Sequence, residues 1–204
     1  RDLADSANEL LAGYGAPPLA IEDVAAMVGD GARQLVRRAL AAADVRTDLD
    51  EALERFLAIY GGRLFVHTRP YAGIPEAIAA LSDQAALAVL TNKPQRLSER
   101  LLEGFGMAAW FGWVLGGDSV FPRKPDPSGL IHLAGQAGAP LDRTMMVGDS
   151  VVDVETARAA GTSICIARYG FGQNRRPIPL VGDELVAERP ESLVELLGRF
   201  AASP

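Results

Sequence analysis

The stretch Met145-Met146-Val147-Gly148-Asp149-Ser150-Val151-Val152-Asp153 is an apolar run that stops at a carboxylate and is followed, one helical turn on, by a second carboxylate. A short apolar run closed by glycine reads as a buried strand. The spacing beyond it puts Asp149 and Asp153 near one point at a helix start, where hard oxygen ligands suit Mg2+. An acid in the first turn of a helix also complements the helix dipole. That accounts for Asp153 and leaves Asp149 unexplained.

Outward from this strand, predicted at Thr144–Val147, similar apolar runs recur at Ala86–Leu90, Trp113–Leu115, Ser163–Ala167 and Leu185–Ala187. Helical spacing fills the intervals at Ile74–Leu81, Gln95–Phe105, Ser128–Ala137, Val154–Ala160 and Ser192–Phe200. Short strands alternating with helices are the signature of a parallel sheet, so the fold class is α/β with a Rossmann-like core over residues 71–204. Before Pro70 the pattern is helical. Leu3, Ala7, Leu10 and Leu11 share a face, as do Leu49, Leu53, Phe56, Leu57 and Tyr60. Val24, Met27 and Val28, then Leu35, Val36 and Leu40, mark two shorter helices, punctuated by Gly15, Pro17 and Pro18 and by the Gly29-Asp30-Gly31 turn. Residues 1–70 read as a small α-helical bundle domain, and the Gly-, Arg- and Pro-rich Arg168–Pro179 stretch reads as a surface loop.

Composition narrows the function classes. With 204 residues, of which 49% are hydrophobic, the chain can bury a sizeable core plus a smaller appended module, which excludes a disordered chain. A net charge of −6 provides no global field for nucleic acid or an anionic membrane, so an anionic ligand must be held locally. No apolar run approaches the roughly 18 residues of a membrane span, and no signal pattern opens the chain. The single cysteine, Cys165, sits between Ile164 and Ile166 as a buried strand residue would, consistent with a reducing cytoplasm. Nothing specifies an oligomeric state. Only two of the 20 basic residues are lysines, Lys93 and Lys124. A compositional bias toward arginine explains the scarcity, and each lysine position still asks for inspection.

In open α/β sheets the reactive groups gather at the carboxyl ends of the strands. After Ala86–Leu90 comes Thr91-Asn92-Lys93-Pro94, which offers a hydroxyl and backbone N–H groups at a helix start, a phosphate cradle that on its own also reads as an ordinary N-cap. After Trp113–Leu115 comes Arg123-Lys124-Pro125-Asp126-Pro127, where a proline-stiffened turn fixes a lysine that can supply a point charge to a phosphoryl group; alone, it also reads as a solvated loop lysine.

The order of these parts, a strand ending in Thr-Asn, a later Lys-Pro, then Gly-Asp-Ser-x-x-Asp, resembles the second, third and fourth motifs of the haloacid dehalogenase superfamily. The helical segment before Tyr71-Ala72-Gly73-Ile74-Pro75-Glu76 resembles the cap inserted after the first motif in the phosphoglycolate phosphatase-like branch. The resemblance covers nearly the whole chain. It implies a Mg2+-dependent phosphatase acting on a small phosphorylated metabolite: Thr91 and Asn92 hold the phosphate, Lys124 neutralises it, and Asp149 and Asp153 hold the metal. In the cap, it suggests Asp30 and Arg33 as substrate readers, Arg33 through a carboxylate; a plain turn with a solvated arginine is the competing reading. The family's first motif, whose leading aspartate is the nucleophile, is absent from these residues. The expectation is that it precedes Arg1, on a strand central to the sheet, and that the 204 residues alone are poorly stable and catalytically silent.

The same residues also bear on other chemistries. A serine esterase needs a histidine after Ser150, and both His67 and His132 precede it. Dehalogenases lack the paired acids, and a phosphonatase needs a cap lysine that residues 1–70 do not have. A β-phosphoglucomutase-like phosphotransferase, a pyrophosphatase and a non-catalytic phosphate-binding protein remain open.

Overall fold

The computed structural model describes residues 1–174, 178 and 180–202. Four helices come first: α1 (Asp2–Ala12), α2 (Ile21–Met27), α3 (Ala32–Ala42) and α4 (Leu49–Arg63). Their buried faces follow from the sequence spacing, with Ala7, Leu10 and Leu11 of α1 meeting Leu35, Val36 and Ala39 of α3 and Ala52, Phe56 and Tyr60 of α4. The Phe56 and Tyr60 rings stack at 5.9 Å between centroids. Asp48 starts α4 by accepting from the Asp50 and Glu51 amides at 2.9 Å, a cap that contributes about 1 kcal/mol.

Next come α5 (Ile74–Ser82), β1 (Ala88–Leu90), α6 (Gln95–Gly104), β2 (Trp113–Leu115), α7 (Ser128–Gln136), β3 (Met145–Gly148), α8 (Val151–Ala160), β4 (Ser163–Ala167), β5 (Leu185–Ala187) and α9 (Ser192–Ala202). All strand pairs are parallel, as strands separated by helices require. The sheet is α/β as the sequence predicts, but it stands in two parts: β1 pairs with β2, and β3, β4 and β5 form a second group in that order. Helix α7 packs against both β1 and α8 and so spans the two parts. Leu130 of α7 joins Met146, Ile164 and Ile166 in one core, with Leu90 packed against it.

Element boundaries shift slightly from the sequence reading, most at α8, which begins at Val151 rather than Val154. The cause is a capping box: the Ser150 side chain takes the Asp153 amide and the Asp153 carboxylate takes the Ser150 amide. The Arg168–Pro179 stretch, read as a surface loop, contains a 3-10 turn at Phe171–Asn174, where Phe171 is exposed and the Gly172 amide reaches Asp149; Arg175, Arg176, Pro177 and Pro179 lie outside the described residues.

The two ends of the helical segment are tied by one carboxylate. Asp2, only 2% exposed, accepts from the His67 amide at 3.0 Å, the Thr68 amide at 2.8 Å and the Thr68 hydroxyl at 2.7 Å. Burial works against its charge, but the Thr68 hydroxyl and the Thr68 and His67 amides outweigh burial and hold its pKa below 3.8. A depressed carboxylate pKa contributes stability above the unfolded value that is lost as pH falls. Asp2→Ala is expected to cost about 2 kcal/mol at neutral pH; in urea unfolding the gap to the native sequence should narrow as pH falls through the lowered folded-state pKa of Asp2. A gap that did not narrow in acid would mean the carboxylate is not the source.

Candidate active site

Four strand ends meet at the carboxyl edge. Thr91-Asn92-Lys93 follows β1, Gly116-Gly117 follows β2 and leads to Lys124, Asp149-Ser150 follows β3, and Gly170 to Gly172 follow β4. Close approach sets the residue types here. A Cβ on Gly117 would stand 2.4 Å from the Asn92 carbonyl oxygen, and one on Gly148 would stand 2.3 Å from the Asp153 Cβ. Glycine at 148 is thus what lets Asp153 fold back beneath the end of β3.

Asp153 is buried and gathers the site. Its Oδ1 accepts from Lys124 Nζ at 2.6 Å, and its Oδ2 accepts from Ser150 Oγ at 2.6 Å and from the Ser150 and Asp149 amides at 3.1 and 3.2 Å. Lys124 is fixed from its other side by Asn92, whose Oδ1 accepts from the Lys124 amide at 2.9 Å and whose Nδ2 donates to the Lys124 carbonyl at 3.1 Å. Asn92 Nδ2 also donates to the Gly29 carbonyl at 3.0 Å, which joins the turn before α3 to the sheet edge. The Asp149 Oδ2 accepts from the Gly172 amide at 2.8 Å.

These groups line a cavity of about 260 Å³ between the helices and the sheet edge. Its polar side carries Thr91, Asn92, Lys93, Lys124, Asp149, Ser150 and Asp153; Leu3, Val28, Leu35 and Phe56 form an apolar wall. Lys93 and Tyr60 meet inside it: Lys93 Nζ donates to the Tyr60 hydroxyl and lies 4.6 Å from the ring centroid. Burial pulls the Lys93 pKa down to about 8, against a smaller opposing pull from Asp2, and burial pushes Tyr60 up to about 12.

The structure thus brings Thr91, Asn92, Lys124, Asp149 and Asp153 to one cavity. Asp30 and Arg33 stand elsewhere: Asp30 pairs with Arg38 at 2.6 Å, Arg33 pairs with Asp50, and neither lines the cavity. The sequence pointed to the Asn92 backbone; the structure adds a role for its side chain, the clasp on Lys124. Ser150, Tyr60, Lys93 and Gly172 were not singled out for the site; the rarity of lysine was the one signal available for Lys93. No histidine lines the cavity, so Ser150 has no base there. Burial raises the Cys165 thiol to about 11, far from a reactive thiolate.

Comparison with known proteins gives this geometry a family. The family model for haloacid dehalogenase-like hydrolases matches residues 2–161. The chain belongs to that family. A phosphoglycolate phosphatase of Pseudomonas syringae pv. tomato is 38% identical over 98% of the chain and 72% of its own length. The plasmid phosphoglycolate phosphatase of Cupriavidus necator is 37% identical over 100% of the chain and 89% of its own length. A crystal structure of a predicted phosphoglycolate phosphatase from Haemophilus somnus superposes with a TM-score of 0.85 at 28% identity, covering 96% of the chain and 90% of its own.

For a divalent metal, this haloacid dehalogenase-like hydrolase offers two hard carboxylates on the cavity. Mg2+ needs only one or two carboxylates and takes the rest of its shell from water and substrate oxygens, so Asp149, steadied by Gly172 and by the Asp153 capping box, fits as its donor. A second acidic group, Asp2, Asp5 and His67, brings three ligand atoms within 4.8 Å of one another. The Asp2 oxygens there are already occupied by Thr68 and His67, and none of the three residues lines the cavity.

The depressed Lys93 pKa has a consequence for stability. In the unfolded chain a lysine titrates near 10.5, and here the folded protein releases the proton near 8. Between these values the unfolded chain holds more protons and stability rises with pH; below about 8 both states are protonated and the cost of burying the cation is felt in full. Lys93→Met should therefore be more stable than the native sequence at neutral pH, and urea unfolding should show the advantage shrinking by about pH 9.5. An advantage that grew with pH would show that the fold stabilises the Lys93 cation.

Proposed function

We propose that this hydrolase is a Mg2+-dependent phosphatase of small phosphomonoesters of the phosphoglycolate kind, working through an aspartyl-phosphate intermediate. The observation that carries the reading is the convergence of Thr91, Asn92, Lys124, Asp149 and Asp153, drawn from three separate strand ends, on one small cavity. Thr91 Oγ accepts from the Lys93 amide at 3.1 Å, which leaves its own proton to donate to a phosphate oxygen. Lys124 gives one of its three N–H donors to Asp153 and turns the others to the phosphoryl group. Asp149 would hold Mg2+, with Asp153 behind it, and the ion would supply charge neutralisation at the phosphoryl oxygens. The phosphate-binding, metal and neutralising roles are then filled. The helical residues 1–70 would serve as a cap over the core of residues 71–204 and exclude water from the cavity.

The attacking aspartate remains to be assigned. Asp149 and Asp153 are the carboxylates lining the cavity, and both are committed to the metal side of the site. We assign the nucleophile to a strand preceding Arg1 and seated between β1 and β3. Two observations support that position: among the described residues neither strand is paired on that side, and Leu130 of α7 packs in one core with Met146 of β3, against which Leu90 of β1 also packs. The aspartate would displace the alcohol in line and form the acyl phosphate, which water then hydrolyses to inorganic phosphate.

The test is phosphate release by the protein expressed from its own gene, across a panel of small phosphomonoesters, sugar phosphates and pyrophosphate, with and without Mg2+. Release should require Mg2+ and fall by about a hundredfold or more in Asp149→Asn and in Lys124→Met. The 204 residues alone should release none. Near-normal turnover by Asp149→Asn would remove Asp149 from the metal site, and turnover by the 204 residues alone would overturn the placement of the nucleophile.

A further inference from the structure

The chain has two lysines, and both line the cavity. They are not equivalent. Lys124 is neutralised by Asp153 at 2.6 Å. Among the described residues no carboxylate stands within ion-pair distance of Lys93, whose polar partner is the neutral Tyr60 hydroxyl. Asp2 acts on Lys93 through space, but its oxygens are spent on Thr68 and His67. A cation packed into a protein without a counter-ion is costly, and such groups cluster where a ligand supplies the missing charge.

We propose that Lys93 and Tyr60 form a second anion subsite of the cavity, which takes the carboxylate of a small phosphomonoester while the Thr91 and Lys124 side takes the phosphate. Lys93 Nζ has two N–H donors left after Tyr60, and Tyr60, accepting from Lys93, keeps its own O–H to donate. Together they present donors from two directions, the complement of a carboxylate. The wall of Leu3, Val28, Leu35 and Phe56 has no partner for hydroxyl groups. A polyhydroxylated sugar phosphate would leave buried hydroxyls unpaired and be rejected. The Lys93 subsite thus does from the sheet edge what the sequence suggested for Arg33, whose guanidinium is paired with Asp50.

This inference rests on the phosphatase reading for the position of the phosphate, and non-hydrolysable probes separate the two. With Mg2+ present, 3-phosphonopropionate carries phosphonate and carboxylate on a two-carbon spacer, and propylphosphonate replaces the carboxylate by methyl. Calorimetric titration of the protein expressed from its own gene should show 3-phosphonopropionate binding tighter by about tenfold or more. Lys93→Met should erase that preference and leave propylphosphonate within about twofold, whereas Lys124→Met should weaken both probes. Tyr60→Phe, which keeps the ring, should reduce the preference without touching propylphosphonate. Lys93→Met should also melt no lower than the native protein at neutral pH, a result that a purely structural lysine would not give. Equal binding of the two probes by the native protein, or a preference that survives Lys93→Met, would overturn the subsite and leave the phosphate site standing. Binding of neither probe would overturn both.

Discussion

The Asp153 carboxylate receives Lys124 Nζ on one oxygen and the Ser150 hydroxyl with the Ser150 and Asp149 amides on the other, and the rest of the cavity is placed relative to it. Through Ser150 it starts α8; through the Asp149 amide it sets where β3 stops; through Lys124 it fixes the loop that Asn92 clasps from the far side. The pair is buried, with the Lys124 side chain 12% and the Asp153 side chain 7% exposed. Removing one partner of such a pair strands the other charge, at a cost of about 3–5 kcal/mol. The same carboxylate that serves the fold therefore holds the Lys124 ammonium group at the cavity.

Asn92 plays the corresponding part between the helices and the sheet. Its amide joins the Gly29 carbonyl before α3 to the Lys124 backbone after β2, so the turn that closes the cavity is tied directly to the residue that would neutralise a phosphate. Movement of that turn would disturb Lys124, and the reverse holds too. Gly31, at φ 89°, continues the contact: a Cβ there would come within 3.1 Å of both the Asn92 carbonyl and Arg123 Nε.

The fold was largely legible because its signals are local. Apolar runs, helical spacing and turn residues gave the five strands and the alternation, and they missed the start of α8 because a capping box is a reciprocal contact that spacing alone does not reveal. Thr91 and Asp149 were legible because they directly follow strands, and Lys124 and Asp153 because they lie in the loop or first helical turn that comes after one. Tyr60 and Gly172 were not: Tyr60 is one more aromatic on an apolar helix face, and Gly172 lies in a stretch whose composition reads as loop. Their roles arise from contacts between residues more than twenty positions apart. The two-part sheet was anticipated only through resemblance, since no single apolar run records which neighbour it pairs with.

The confinement of lysine to the cavity also makes the chain chemically transparent. Amine-selective reagents usually report an average over many surface lysines, but here the only side-chain amines in the 204 residues are Lys93 and Lys124. Of the two, Lys93 has its pKa pulled down to about 8 by burial, which raises its share of reactive free base near neutrality above that of an ordinary lysine, while Lys124 is held by its carboxylate. Acylation of a lysine side chain within these 204 residues is therefore a readout of the cavity itself, and a ligand seated there would register as protection of those two positions.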